Sequence, residues 1–158
     1  MPKAEELDQV CAELDTLAIR RLELMNESIG LSSALESALQ DGWLQLAKTR
    51  IILGVAQTRA AQFDDRDAEA TARVDISSDG RFAPTTPDEK SSGEAEDVLV
   101  KRVSPFGVLA PASAKLAEKR FVKAIELACE QATTRAALAA ANQHYKDLAA
   151  KKSTLLRV

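Results

Sequence analysis

From about residue 3 to about residue 60 the chain carries no proline, and apolar side chains return every three or four positions, the spacing that lines one face of an α-helix. Set out as heptads with Leu7 and Leu14 at position a, the d row reads Val10, Leu17, Leu24, Leu31 and Ala38, and the e row Cys11, Ala18, Met25, Leu39 and Leu46. The a row is broken by Arg21 and Ser28. A stripe dominated by d and e is wider than two facing rows require. It predicts one long helix over 3–60, in a hairpin or small bundle rather than a strict two-stranded zipper.

Between 61 and 104 the character changes: Asp79-Gly80, Pro84, Pro87 and Ser91-Ser92-Gly93 break the pattern, and acidic residues outnumber basic ones. This reads as a long, largely disordered acidic linker. Two short alternations, Val74 with Ile76 and Val98 with Val100, are candidates for a two-stranded ribbon near its ends. Helical spacing resumes after Pro111, whose missing N–H costs nothing at a helix start, and runs through Leu116, Phe121, Ala124, Ala128, Leu138, Ala139, Tyr145 and Leu148. It predicts a second long helix within 105–158, alanine-lined on its buried side so that the larger residues of the first helix approach closely. The expected fold class is all-α: an antiparallel two-helix coiled-coil hairpin. Charge favours that orientation, with nine Asp and Glu against six Lys and Arg before the linker, and nine Lys and Arg against four Asp and Glu after Ser104.

Composition narrows the function. The chain has 158 residues, 46% apolar but only 4% aromatic, so its core is thin and built of Leu and Ala, which suits long helices better than a compact enzyme. A net charge of −3, with no clustering of Lys and Arg among aromatics, argues against nucleic acid. Cys11 and Cys129 lack the paired spacing of a zinc or redox motif and read as buried, reduced thiols. The single histidine, His144, sits among polar neighbours on a slender helix and reads as a surface residue; every glycine is isolated, so no phosphate loop forms. No enzyme, cofactor or metal is expected. Met1–Glu6 has no apolar leader segment, and no stretch is apolar for the roughly 18 residues that a membrane span needs. The chain is therefore expected on the cytosolic side, without transmembrane insertion, reaching any membrane through a partner.

Two segments stand apart. In Asp41-Gly42-Trp43-Leu44-Gln45-Leu46-Ala47-Lys48 the only tryptophan follows a glycine inside a helix, where Gly costs up to about 1 kcal/mol relative to Ala. Such a glycine lets another backbone or a bulky side chain approach. Pro105-Phe106-Gly107-Val108-Leu109-Ala110-Pro111 is an apolar, proline-bracketed entry to the second helix, and a folded-back hairpin would bring the two segments together. Trp43, Phe106 and Leu109 then either cap the core beneath the linker or form a knob for a partner, and the two roles are compatible.

The order Glu13-Leu14-Asp15-x-Leu17, then Gly42-Trp43-Leu44-x-Leu46-Ala47-Lys48-x-Arg50, an acidic linker, and Phe106-Gly107-x-Leu109-x-Pro111 before a final helix resembles the coiled-coil family of V-type proton ATPase assembly factors. The resemblance implies a peripheral protein on the cytosolic face of the endoplasmic reticulum that joins a small two-span membrane partner and helps assemble the membrane-sector subunits of the proton pump. By motif match it places partner contacts on Leu14, Leu17, Trp43, Leu44, Leu46, Ala47, Lys48, Phe106, Gly107, Leu109 and Pro111. The chain departs from the pattern at Pro105, where the family can carry Trp. Periodicity alone fits a structural subunit of a prefoldin-like or tethering complex equally well. Leu14-Asp15-Thr16-Leu17 with Arg20-Arg21 also looks like the opening of an all-helical chorismate mutase, but that chemistry needs cationic groups converging on a dianion, and the pattern supplies no pocket for one.

Overall fold

The computed structural model describes residues 2–54, 72–85 and 110–157. Helix α1 spans Pro2–Leu53 and helix α2 spans Ala112–Arg157, rods of about 78 and 69 Å at 1.5 Å per residue. They pack along each other in opposite directions: Glu6 meets Lys151, Arg21 meets Asn142, Asp41 meets Arg120 and Thr49 meets Ser113. The fold is the all-α antiparallel hairpin. The two cross-helix ion pairs among the described residues are about half exposed, so they orient the helices more than they stabilise them.

The helix ends follow local chemistry. Gly54 takes a φ of +80° and its N–H reaches the Arg50 carbonyl at 3.0 Å, a left-handed stop that a Cβ would disfavour. At the start of α2 the Pro111 carbonyl accepts the Ala114 N–H at 3.0 Å.

The seam itself corrects the expected d and e stripe. Helix α2 lies over the a and d rows: Val10, Leu14, Leu24 and Ala38 are buried, and so are Gly42 and Thr49 of the a row. Arg21, read as a break in the pattern, sits in the seam because α2 answers it. Its Nε donates to Asn142 Oδ1 at 2.6 Å, and its guanidinium lies 4.3 Å from the centre of the Tyr145 ring. Further along, Thr134 donates to Glu27 at 3.2 Å and Gln131 donates to Ser32. Among the described residues no buried side-chain polar atom lacks a partner, so the polar seam costs little in desolvation and fixes the register. Two apolar clusters flank this polar stretch, one of Val10, Leu14 and Leu148, the other of Ala38, Ala124 and Leu127. The alanine lining of α2 is present at Ala114, Ala117 and Ala124, whereas Ala128 and Ala139 are exposed. Of the e row, Met25 and Leu39 are left exposed.

A ribbon does form within the stretch between the helices. Strand β1 (Arg73–Ile76) pairs antiparallel with β2 (Phe82–Thr85) across a turn in which Gly80 has a φ of +73°. Val74 and Ile76 are in it, but their partner strand begins at Phe82, and the Val98 to Val100 alternation lies outside the described residues. The ribbon rests on α2: the Phe82 N–H donates to Thr133 Oγ1 at 3.0 Å. Thr133 faces away from the seam, and Cys129, one turn earlier on the same face, is buried.

Candidate partner-binding surface

The last turns of α1 show why the helix carries Gly42. A Cβ placed there would come within 2.9 Å of Cε1 and 3.0 Å of Cζ of Phe121, so the missing side chain is what lets the α2 ring lie against the α1 backbone. Trp43 meets the same ring edge-on, with centroids 5.3 Å apart and planes at 76°. One side of the indole is thus braced, while the residue remains 61% exposed. Two turns on, Thr49 is fully buried; its hydroxyl donates to the Gln45 carbonyl at 2.9 Å, which leaves Ser113 as donor in their 2.7 Å contact. This bond ties the two helices where they meet the intervening chain.

Around that anchor, Leu44, Ala47 and Lys48 are exposed, and Leu46 and Pro111 are half-buried. The structure gathers these residues with Trp43 at one end of the rod. Leu14 and Leu17 stand about 40 Å away along α1, Leu14 buried against Val10 and Leu148 and Leu17 half-buried. Phe106, Gly107 and Leu109 lie outside the described residues. The aromatic partner of Trp43 is Phe121, which periodicity placed in α2 without singling it out. An antiparallel register with a glycine opposite was the signal that could have found it.

The exposed apolar surface extends further than the sequence reading had it. Leu22, Met25 and Ile29 face outward beside the seam, and Leu39 and Trp43 continue the row, with Gln131 and Arg135 of α2 forming the opposite bank of a shallow groove. Catalytic geometry has little to work with. His144 is exposed, and among the described residues no three His, Cys, Asp or Glu side chains come together as a metal site. Both cysteines are free; burial, helped by Glu130, pushes the Cys129 thiol above its ordinary pKa, the reverse of an activated nucleophile. No helix among the described residues is long and apolar enough to cross a membrane.

The structure is a coiled-coil hairpin that braces one tryptophan and leaves a row of large apolar side chains outside its seam. A comparison with known proteins gives this hairpin a relative. The chain is 26% identical, over 147 aligned positions, to a protein of Mus musculus named vacuolar ATPase assembly protein VMA22, the match taking in 77% of this chain and 81% of that one. The resemblance to the V-type ATPase assembly factors is borne out by this similarity. No family model matches the chain.

Proposed function

We propose that this chain is an assembly factor for the V-type proton ATPase, a non-enzymatic chaperone that works through protein contacts. What carries the reading is the similarity to the mouse assembly protein over more of the chain than either helix alone supplies. The exposed indole supports it: a tryptophan braced by Phe121 loses little conformational freedom on binding, the usual property of an interface anchor. In this proposal the linker end, with Trp43, Leu44, Leu46, Ala47, Lys48 and Pro111, and with Phe106, Gly107 and Leu109 before α2, meets a small two-span membrane protein on the cytosolic face of the endoplasmic reticulum. Leu14 and Leu17 serve the partner indirectly, by holding the far end of the rod in register. The clients are subunits of the pump's membrane sector.

Affinity purification of wild type beside Trp43→Ala tests this. The variant is expected to keep its helical circular dichroism, since the indole is largely outside the seam, and to lose the membrane partner. Unfolding of the variant would instead make Trp43 a cap of the core. Deletion of the chain is expected to leave vacuoles or lysosomes poorly acidified; normal acidification with intact membrane-sector subunits would overturn the proposal in favour of a tethering or prefoldin-like subunit.

A further inference from the structure

Helix α1 carries a second apolar seam beside the one that α2 covers. Ala18, Leu22, Met25 and Ile29 and, past an interruption at Ser32 and Glu36, Leu39 and Trp43 follow the alternating three and four spacing of a heptad stripe, displaced by one position from the a and d rows. Leu22 is 66% and Ile29 68% exposed, and further along α2 closes only one bank of the groove that holds Leu39 and Trp43. A helix with two adjacent seams is built for two helical neighbours, and the hairpin supplies one.

We infer that the second neighbour is α1 of another copy of this chain, running antiparallel. Charge decides both the occupant and the direction. From Glu5 to Asp15 α1 carries five carboxylates and no cation, while from Leu44 to Leu53 it carries Lys48 and Arg50 and no carboxylate. One of the five, Glu6, already pairs with Lys151. A parallel pairing sets like charge against like; an antiparallel one sets each acidic end against the other copy's basic end, so the surface complements itself. The stripe is also balanced about its middle. Asp15 and Arg50 lie equally far from Ser32 and Ser33, as do Leu22 and Trp43, so a two-fold axis beside the serines brings Asp15 toward Arg50 and Leu22 toward Trp43 of the other copy. The small residues at the axis permit close approach.

This goes beyond the assembly role and is tested without it. Sedimentation of the full chain over about 1 to 100 µM is expected to move from the 17.0 kDa monomer to twice that mass. Ile29→Glu, on a side chain outside the α2 seam, is expected to weaken the dimer by about 100-fold or more with helicity unchanged, because the two-fold axis sets the new carboxylate against Glu36 of the other copy. Leu22→Glu gives the same readout at an independent site. Asp15→Lys or Arg50→Glu alone weakens the dimer, and the two together restore it only if the helices run antiparallel. A chain that stays monomeric throughout overturns the inference and leaves the stripe to another protein's helix. A dimer indifferent to both Ile29→Glu and Leu22→Glu overturns it too, and failure of the double swap overturns the antiparallel direction. Ile29 stands about 21 Å along the helix from Trp43, so a dimer lost at Ile29 with the membrane partner retained, or the converse, separates this inference from the assembly role.

Discussion

Gly30 and Gly42 lie on the same helix and do opposite things. Around Gly30 an added Cβ would meet nothing within 4 Å, whereas at Gly42 it would press on the Phe121 ring. Helix propensity alone makes Gly→Ala worth up to about 1 kcal/mol at each. Overpacking at a tight site costs about 1 to 3 kcal/mol, and the half-buried Phe121 ring can yield only by giving up its contact with Trp43. Gly30→Ala is therefore expected to raise the thermal midpoint, and Gly42→Ala to fall below it by at least about 1 kcal/mol in stability. Chemical denaturation of the two variants side by side measures the difference. A distinctive glycine placement was legible in the sequence. The identity of what filled it was not, because that depends on the register between two positions 79 residues apart in the chain.

At the scale of elements, the two helices were written in the periodicity and the ribbon was only hinted at. Val74 and Ile76 alternate over four residues, too short a run to stand alone; what holds the ribbon is α2, through Thr133, a contact that no local pattern announces. Cys129, buried on α2, lies one turn before Thr133, and Thr133 donates its hydroxyl to the Cys129 carbonyl at 3.0 Å. With Thr133→Val the Phe82 N–H loses its acceptor, and Cys129 is expected to react several-fold faster with a thiol reagent while helicity stays constant. In the wild type Cys129 lags behind the half-buried Cys11 near neutral pH, and since its proton is held above the ordinary value near 9, the lag shrinks as the pH rises through that region. Mass spectrometry of the labelled chain resolves the two sites. The seam was the harder element to read. Arg21 and Ser28 look like defects until Asn142, Tyr145 and Gln131 stand opposite that stretch, and hydrophobicity along one strand of sequence cannot report a polar partner on the other. For the same reason Met25 and Leu39 were counted with the core, although the chain spends them on its outside.

Along the described helices the buried apolar residues are unevenly spread. The cluster of Val10, Leu14 and Leu148 closes the end away from the linker, the cluster of Ala38, Ala124 and Leu127 lies toward the other end, and between them a lone buried Leu24 is flanked by hydrogen bonds in which Arg21 donates and Glu27 and Ser32 accept. Burial of apolar area carries most of the free energy of folding, whereas a hydrogen bond contributes a net of only about 1 kcal/mol. The rod therefore divides into two cooperative units joined by a softer middle. Amide hydrogen exchange is expected to show two slowly exchanging blocks, near residues 10–17 with 145–152 and near 31–42 with 117–127, separated by faster exchange around 21–28; a single uniform block would contradict it. A rod of this kind bends first at its centre, so its two ends can tilt relative to each other while each keeps its own packing intact.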